Sequence, residues 1–302
     1  MCYTKKGDYM KCTLCPHECG ALRLDLKGDG VCKCGNNIKV ARIAPHMWEE
    51  PPISGEKGSG AIFFSGCTMK CIYCQNFEIS AENHGVEISA QALADEYKKL
   101  EESGVHNIDL ISATQYIPEI LKSFEIYKPK VPIVYNCGGY EKVQTLKALE
   151  GIVDIYLPDF KYSDNKLAKE YSGVDFYVET ATAAIGEMLR QTGRFTTDEN
   201  MIAKSGVLIR HLILPNHTKN SIGVINILKE KFGDDVTLSL MGQYIPHGKA
   251  TQHPKLSRKI TKREYQKVLD HLIDSQLDGF AQELESADES YIPLWNYNSD
   301  KE

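Results

Sequence analysis

The stretch 61–76 reads AIFFSGCTMKCIYCQN. Its first half is an apolar run that ends at Ser65-Gly66. Its second half sets Cys67, Cys71 and Cys74 at C-x3-C-x2-C spacing, with Tyr73 just ahead of the third thiol. A short apolar run closed by glycine reads as a buried strand, so the three thiols fall on the loop that leaves its C-terminal end. Three soft thiolates on one loop can hold three irons of a cubane cluster, because cluster iron is ligated by cysteine sulfur. The fourth iron then lacks a protein ligand, and an open coordination position is what lets a metal site bind a substrate. The alternative is a zinc knot closed by a fourth ligand such as Cys137 or a histidine, although structural zinc favours paired C-x2-C elements over a lone triplet.

Downstream the same rhythm repeats. The apolar runs NIDLIS (107–112), VPIVYN (131–136), IVDIYL (152–157), VLIRHLIL (207–214) and VTLSLM (236–241) make six strands together with 61–66. Leu93, Tyr97 and Leu100 stand at helical spacing ahead of Gly104, and Ile222, Ile225, Leu228 and Phe232 ahead of Gly233. These read as amphipathic covering helices with glycine stops. Thr261 and Glu264 have capping-box spacing before Tyr265, Val268, Leu269 and Leu272, which predicts one more helix. Strands and helices in alternation predict an α/β fold with a parallel sheet. Periodicity alone allows a doubly wound sheet or an incomplete barrel. A thiol loop directly after the first strand, where a barrel carries its chemistry, favours a partial (βα)6 TIM-like barrel.

The chain has 302 residues, of which 42% are hydrophobic and 25% charged, enough to bury a full core and unlike a disordered chain. Residues 1–53 read as a Cys-rich metal-binding N-terminal segment ending just after Pro51-Pro52, and SGEKGSG (54–60) as a flexible connection. The barrel is expected over 54–250 and a C-terminal helical segment over 251–302. A net charge of −6 gives no global attraction to phosphate backbones, so nucleic acid is not an expected partner. The opening MCYTKKGDYM lacks the apolar core and cleavage site of a secretory signal, and no later stretch reaches the length of a membrane span. A cytoplasmic protein is expected.

Eight of the ten cysteines fall in two tight groups rather than scattered pairs, which points to metal and not to disulfides. The first group is CTLCPHEC (12–19) with Cys32 and Cys34 beyond it. Cys12, Cys15, Cys19 and Cys32 are the expected ligands of a second site, and zinc or a second iron-sulfur cluster fits them equally. Cys2 and Cys137 stand alone and read as small buried hydrophobes.

The CTMKCIYC motif resembles the signature of the radical S-adenosylmethionine superfamily. The resemblance implies a 4Fe-4S cluster on Cys67, Cys71 and Cys74 whose unique iron chelates the amino and carboxylate groups of S-adenosylmethionine. One-electron reduction then gives methionine and a 5′-deoxyadenosyl radical. Asn136-Cys137-Gly138-Gly139-Tyr140 resembles the turn of glycyl-radical activating enzymes, and Asp159-Phe160-Lys161 the Asp-x-Lys motif of pyruvate formate-lyase activating enzymes. Arg210, interrupting VLIRHLIL, resembles the fifth-strand arginine of the same enzymes, which meets the methionine carboxylate. From the residues alone, the 159–161 pair reads also as a solvated loop pair and Arg210 also as a buried structural ion pair. Tyr73 is implied to contact adenine. Where the family has Gly-Gly-Glu after its second strand, this chain has Ser112-Ala113-Thr114-Gln115, leaving Thr114 or backbone carbonyls to meet the amino group.

A cysteine box ahead of the radical motif resembles a poorly characterised branch of homologues of the pyruvate formate-lyase activating enzyme. In the well-studied activases such extra cysteines follow the motif. The resemblance implies a radical oxidoreductase that abstracts hydrogen, a low-potential electron donor such as flavodoxin or ferredoxin, and a glycyl radical enzyme or other protein as substrate. Modification of a peptide, RNA or small metabolite by the same radical is a competing function. A zinc or iron-sulfur binding module without catalysis is another.

Overall fold

The computed structural model describes residues 11–24, 27–282 and residue 295, so Cys2 and most of the expected segment 251–302 beyond 282 lie outside the described residues. Ten strands form: β1 (Ile38–His46), β2 (Ser59–Phe64), β3 (Val86–Ile88), β4 (Ile108–Ile111), β5 (Ile133–Cys137), β6 (Ile155–Pro158), β7 (Thr196–Thr197), β8 (Ala203–Leu212), β9 (Thr237–Met241) and β10 (Gly279–Ala281). The α-helices are α1 (Pro51–Ser54), α2 (Phe77–Ser80), α3 (Ala90–Glu102), α4 (Ile117–Ile126), α5 (Val143–Leu146), α6 (Asn165–Ser172), α7 (Tyr177–Thr192), α8 (Thr218–Phe232) and α9 (Lys262–Ser275). All six expected strands are present as β2, β4, β5, β6, β8 and β9, and the three expected helices as α3, α8 and α9. The Thr261–Glu264 capping box forms as its spacing implies.

The sheet order is β10-β9-β8-β6-β5-β4-β2-β1-β3. From β2 to β10 neighbouring strands are parallel, and β1 pairs antiparallel with both β2 and β3. Strand number rises steadily across the parallel part with no reversal. A doubly wound sheet reverses at its switch point, so the sheet winds one way, as a barrel does. It stays open, because β10 and β3 form the two ends of the strand order.

Side chains alternate across each strand. Ile62, Leu110, Tyr135, Tyr156, Ile209 and Leu238 face outward into the large core shared with the helices. Val134, Ile155, Leu157 and Leu208 face inward and pack with Ile53, which is fully buried. Ile53 belongs to α1, so the segment between β1 and β2 turns into the barrel and fills it.

The sheet therefore begins inside the segment 1–53. β1 covers the open edge of β2, and α1 straddles the boundary expected at residue 54. At the other end β10 adds a parallel strand beyond α9, within the segment expected to be helical. Both escaped sequence reading for physical reasons. β1 (IKVARIAPH) lacks a clean alternation, and β10 is only three residues long, below the length at which a pattern carries information. No helix among the described residues is long and apolar enough to cross a membrane.

Truncating Ile53 leaves a cavity in a wall that cannot close over it. Ile53→Ala is expected to lower the unfolding free energy by about 2–5 kcal/mol, read from the urea midpoint. Ile126→Ala, at a half-exposed position, is expected to change it by no more than about 0.5 kcal/mol.

Candidate active site

The thiol loop leaves β2 through Gly66, which holds φ +78°, and a Cβ there would stand 2.2 Å from the Cys34 sulfur. Glycine is thus required both by the backbone and by the close approach of the N-terminal segment. The Gln115 amide ties the root of the loop to the end of β4, donating to the carbonyls of Ser65 (3.1 Å), Gly66 (3.1 Å) and Ser112 (2.9 Å). Farther along, the Lys70 and Ile72 amides donate to the carbonyls of Ser172 and Tyr171, at 3.0 and 2.9 Å. These carbonyls end α6 and have no partner within the helix.

Each sulfur of the loop has a polar neighbour. The Met69 amide donates to Cys67 Sγ at 3.4 Å, the Ser80 hydroxyl to Cys74 Sγ at 3.3 Å, and the Ser172 hydroxyl lies 2.9 Å from Cys71 Sγ. Burial pushes the Cys67 thiol up to about 12, with Cys71 and Cys74 adding to the rise. Burial likewise pushes Cys71 up to about 11, against the pull of Lys161. Buried sulfurs that resist ionising singly suit a cationic cluster that takes the place of their protons.

The three thiols line one cavity together with Tyr73, Asn136, Asp159, Lys161 and Arg210. Arg210, on β8, reaches across it. Its Nε donates to Asp159 Oδ1 (3.0 Å), Nη1 to Glu49 Oε1 (2.6 Å) and Nη2 to Asn136 Oδ1 (2.6 Å). Asn136 returns a bond from Nδ2 to Glu49 Oε2 at 3.0 Å, and Lys161 Nζ pairs with Asp159 Oδ2. Burial pushes the Asp159 carboxyl up, but Arg210 and Lys161 overcome it and hold it below the ordinary range. Deeper in, burial and the nearby Glu49 push Asp109 well above the usual carboxylate range. Gly139 helps place Asp159: at φ +77° its missing side chain leaves room for the Asp159 carbonyl, 2.1 Å from where a Cβ would be.

Of the residues expected to meet a cofactor, the cavity brings together Tyr73, Asn136, Asp159, Lys161 and Arg210. Thr114 is a correction. It does not line the cavity; it is buried behind β5, where its hydroxyl donates to Glu141 Oε1 at 2.8 Å and accepts from the Tyr135 hydroxyl at 3.2 Å. The short helix that follows β4 turns Thr114 away and leaves Ser112 at the rim. The geometry of Arg210 is that of a buried ion pair, with all three nitrogens committed to side chains of the chain itself. Tyr73 shares a 2.8 Å hydrogen bond with the Tyr162 hydroxyl and packs edge-on against Tyr244. Cys137 is 1% exposed and also borders the cavity.

Sequence reading missed Glu49 and Glu50. Glu50 is 2% exposed and accepts from Ser239 Oγ (2.8 Å) and Gln282 Nε2 (2.9 Å). Burial pushes its carboxyl up to about 7. The only signal was a pair of acids between an apolar strand and Pro51-Pro52, and no local spacing says that such a pair points into a barrel.

The N-terminal cysteines pack beside the thiol loop. Cys12, Cys15 and Cys34 are buried, Cys32 is half-buried and Cys19 exposed. His17 Nε2 donates to the Thr68 carbonyl at 2.8 Å, and Thr145 Oγ1 donates to the Leu14 carbonyl at 2.8 Å. Burial pushes the Cys15 thiol up to about 12, whereas hydrogen bonding from Cys34 draws Cys32 down to about 6. Among the described residues no three His, Cys, Asp or Glu side chains are grouped closely enough to hold a single metal ion.

Residues 61–202 match the model of the Radical SAM superfamily, and the chain carries a domain of that superfamily. Such a domain implies a 4Fe-4S cluster and S-adenosylmethionine. An uncharacterized protein of Methanocaldococcus jannaschii is 28% identical over 274 residues, covering 88% of this chain and 75% of that protein. Among solved structures, a radical SAM methyltransferase from Sphaerobacter thermophilus superposes with a TM-score of 0.53 at 13% identity over 74% of this chain. Methylornithine synthase does so with 0.51 at 16% over 73%. Streptococcus suis SuiB bound to S-adenosylmethionine gives 0.50 at 17% over 74%. The chain spans 65%, 63% and 50% of these three proteins respectively, and the likeness is one of fold.

Removing one partner of a buried ion pair strands the other. Arg210→Ala leaves Glu49 without its cation and is expected to destabilise the protein by about 3–5 kcal/mol, measurable as a fall in the urea midpoint. Arg210→Lys is expected to recover only part of this, because an ammonium cannot reproduce the three-way fork. Glu50 yields a pH test. Its folded-state pKa lies above its ordinary 4.5, so between that value and about 7 the native state holds more protons than the unfolded state, and this group's contribution to stability falls as pH rises. Glu50→Gln is accordingly expected to gain stability relative to the unmutated chain between pH ~5 and ~8. Denaturation curves at the two pH values check this, and a pH-independent difference would show that the carboxyl titrates normally.

Proposed function

We propose that this protein is a radical S-adenosylmethionine oxidoreductase that abstracts hydrogen from its substrate, in the manner of the activases that install glycyl radicals. The observation that carries the reading is a single cavity lined by all three thiols of the C-x3-C-x2-C loop and by Asn136, Asp159, Lys161 and Arg210. The donor set fits the group: three soft sulfurs on one loop, with no fourth cysteine on it, facing a cavity that carries cations. When bound there, a 4Fe-4S cluster and S-adenosylmethionine supply reductive cleavage to a 5′-deoxyadenosyl radical.

The chain's own residues do the positioning. Arg210, which by the resemblance meets the methionine carboxylate of the cofactor, and Lys161 are the cations of the cavity that would hold it, and both also pair with Asp159. Asn136 supplies an amide at the end of β5. Tyr73 contributes an aromatic face for adenine, held in place by Tyr162 and Tyr244. The apolar filling below, with Ile53 at its centre, keeps water from entering through the bottom of the barrel.

Cys12, Cys15, Cys19 and Cys32 belong in this reading to a second site for zinc or an iron-sulfur cluster. It is supported by five thiols within 12–34 and by the close packing of that segment on the thiol loop. A low-potential donor such as flavodoxin or ferredoxin would supply the electron, and a glycyl radical enzyme or other protein would be the substrate. A cytoplasmic setting follows from the need to keep grouped thiols reduced.

The test is anaerobic reconstitution with iron and sulfide, then reduction by dithionite with S-adenosylmethionine, following 5′-deoxyadenosine by chromatography. Formation of 5′-deoxyadenosine that disappears in Cys71→Ala is expected. A fully loaded protein that forms none would sink the reading.

A further inference from the structure

The Cys71 sulfur ends a chain of buried hydroxyls. Ser172 Oγ lies 2.9 Å from Cys71 Sγ, Tyr162 Oη 2.5 Å from Ser172 Oγ, and Tyr73 Oη 2.8 Å from Tyr162 Oη. Ser172 and Tyr162 are fully buried and Tyr73 is 8% exposed. No bulk water stands between these groups to compete for the bonds.

The direction of the chain follows from its end. A cysteine that ligates iron is a thiolate and can only accept. Ser172 has a single proton, so with the thiolate beside it the hydroxyl donates to sulfur and accepts from Tyr162, which in turn accepts from Tyr73. Each donation polarises the next, so the bond reaching the sulfur is stronger than an isolated serine would make.

The chain is also rigidly placed. Ser172 is the last residue of α6, and Gly173 closes that helix in the left-handed region at φ 68°. The Ser172 carbonyl accepts from the Lys70 amide and the Tyr171 carbonyl from the Ile72 amide, at 3.0 and 2.9 Å. Two backbone bonds thus flank Cys71 and fix its sulfur against the Ser172 hydroxyl. Tyr162 is held edge-on against Tyr177 with ring centroids 5.3 Å apart.

We propose that Ser172 is a positioning residue for the cluster, donating through this chain to the Cys71 sulfur and raising the cluster's reduction potential. The inference rests on the reading of Cys67, Cys71 and Cys74 as cluster ligands. A donor at a ligating sulfur stabilises the reduced form, which carries one more negative charge. Ser172 would thereby set how strong a reductant must supply the electron.

The experiment uses the full chain, reconstituted anaerobically as the unmutated protein and as Ser172→Ala, Ser172→Thr and Tyr162→Phe. Iron and sulfide are quantified, and the midpoint potential is read from the EPR signal of the reduced cluster in a dithionite titration. The signal is assigned to this site by its absence in Cys71→Ala. Ser172→Ala is expected to move the midpoint to more negative potential with the iron content unchanged. Ser172→Thr is expected to restore it, and Tyr162→Phe to shift it the same way by less. A loaded Ser172→Ala protein at the unmutated potential overturns the inference alone. Should Ser172→Ala not take up iron, a loaded Tyr162→Phe protein at the unmutated potential overturns it instead. An unmutated protein that takes up no cluster at Cys71 overturns the reading of the site and the inference with it.

Discussion

A guanidinium inside a barrel has to find partners there, because burying an unpaired charge costs more than folding can supply. Arg210 is 14% exposed by its side chain, as is Asp159, and Glu49 is 11% exposed, so the three are withdrawn from water together. β5 supplies Asn136, and the residue just after β6 is Asp159. The remaining carboxylate comes from Glu49, which lies outside the parallel strands altogether. The path of the chain before β2 follows from this need: β1 runs down the open edge, and the turn after it carries Glu49 and Glu50 upward and Ile53 into the apolar floor.

The same economy of partners governs the thiol loop. A loop of this length has no ladder of its own, and its backbone groups must be satisfied by neighbours. The end of α6 offers carbonyls that a helix leaves unpaired, the Gln115 amide covers the carbonyls at the loop's root, and the N-terminal segment closes the other side through His17 and the sulfur of Cys34. The Cys-rich segment is therefore packed against the chemistry and not hung beside it.

Charge around the cavity is arranged unevenly. Burial pushes the Asp109 carboxyl well above the usual carboxylate range, and two ion pairs, Arg210 with Glu49 and Lys161 with Asp159, border the cavity above the apolar floor. Arg210 gives one bond from each nitrogen to a side chain of the protein, while Lys161 lies on a loop close to the thiols: burial lowers its pKa, but Asp159 and then Cys71 raise it above the ordinary range.

The local sequence determined what local rules can determine. Apolar runs placed six strands, glycine stops and a capping box placed three helices, and C-x3-C-x2-C spacing marked the loop that faces the cavity. Asn136, Asp159, Lys161 and Arg210 were picked out by their resemblance to motifs of the activating enzymes, at or near the ends of strands whose pattern was clear. The tertiary structure alone decided the rest. Whether the strands wind one way or two is a matter of order across the sheet. Thr114 was lost to the network behind β5 because a short helix after β4 rotated it away from the rim. Glu49 joined Arg210 across a sequence separation of 161 residues, and Ser172 reached Cys71 across 101. Pairings of that kind are selected by the cost of leaving a buried charge or donor unmatched, and that cost does not exist until the chain is folded.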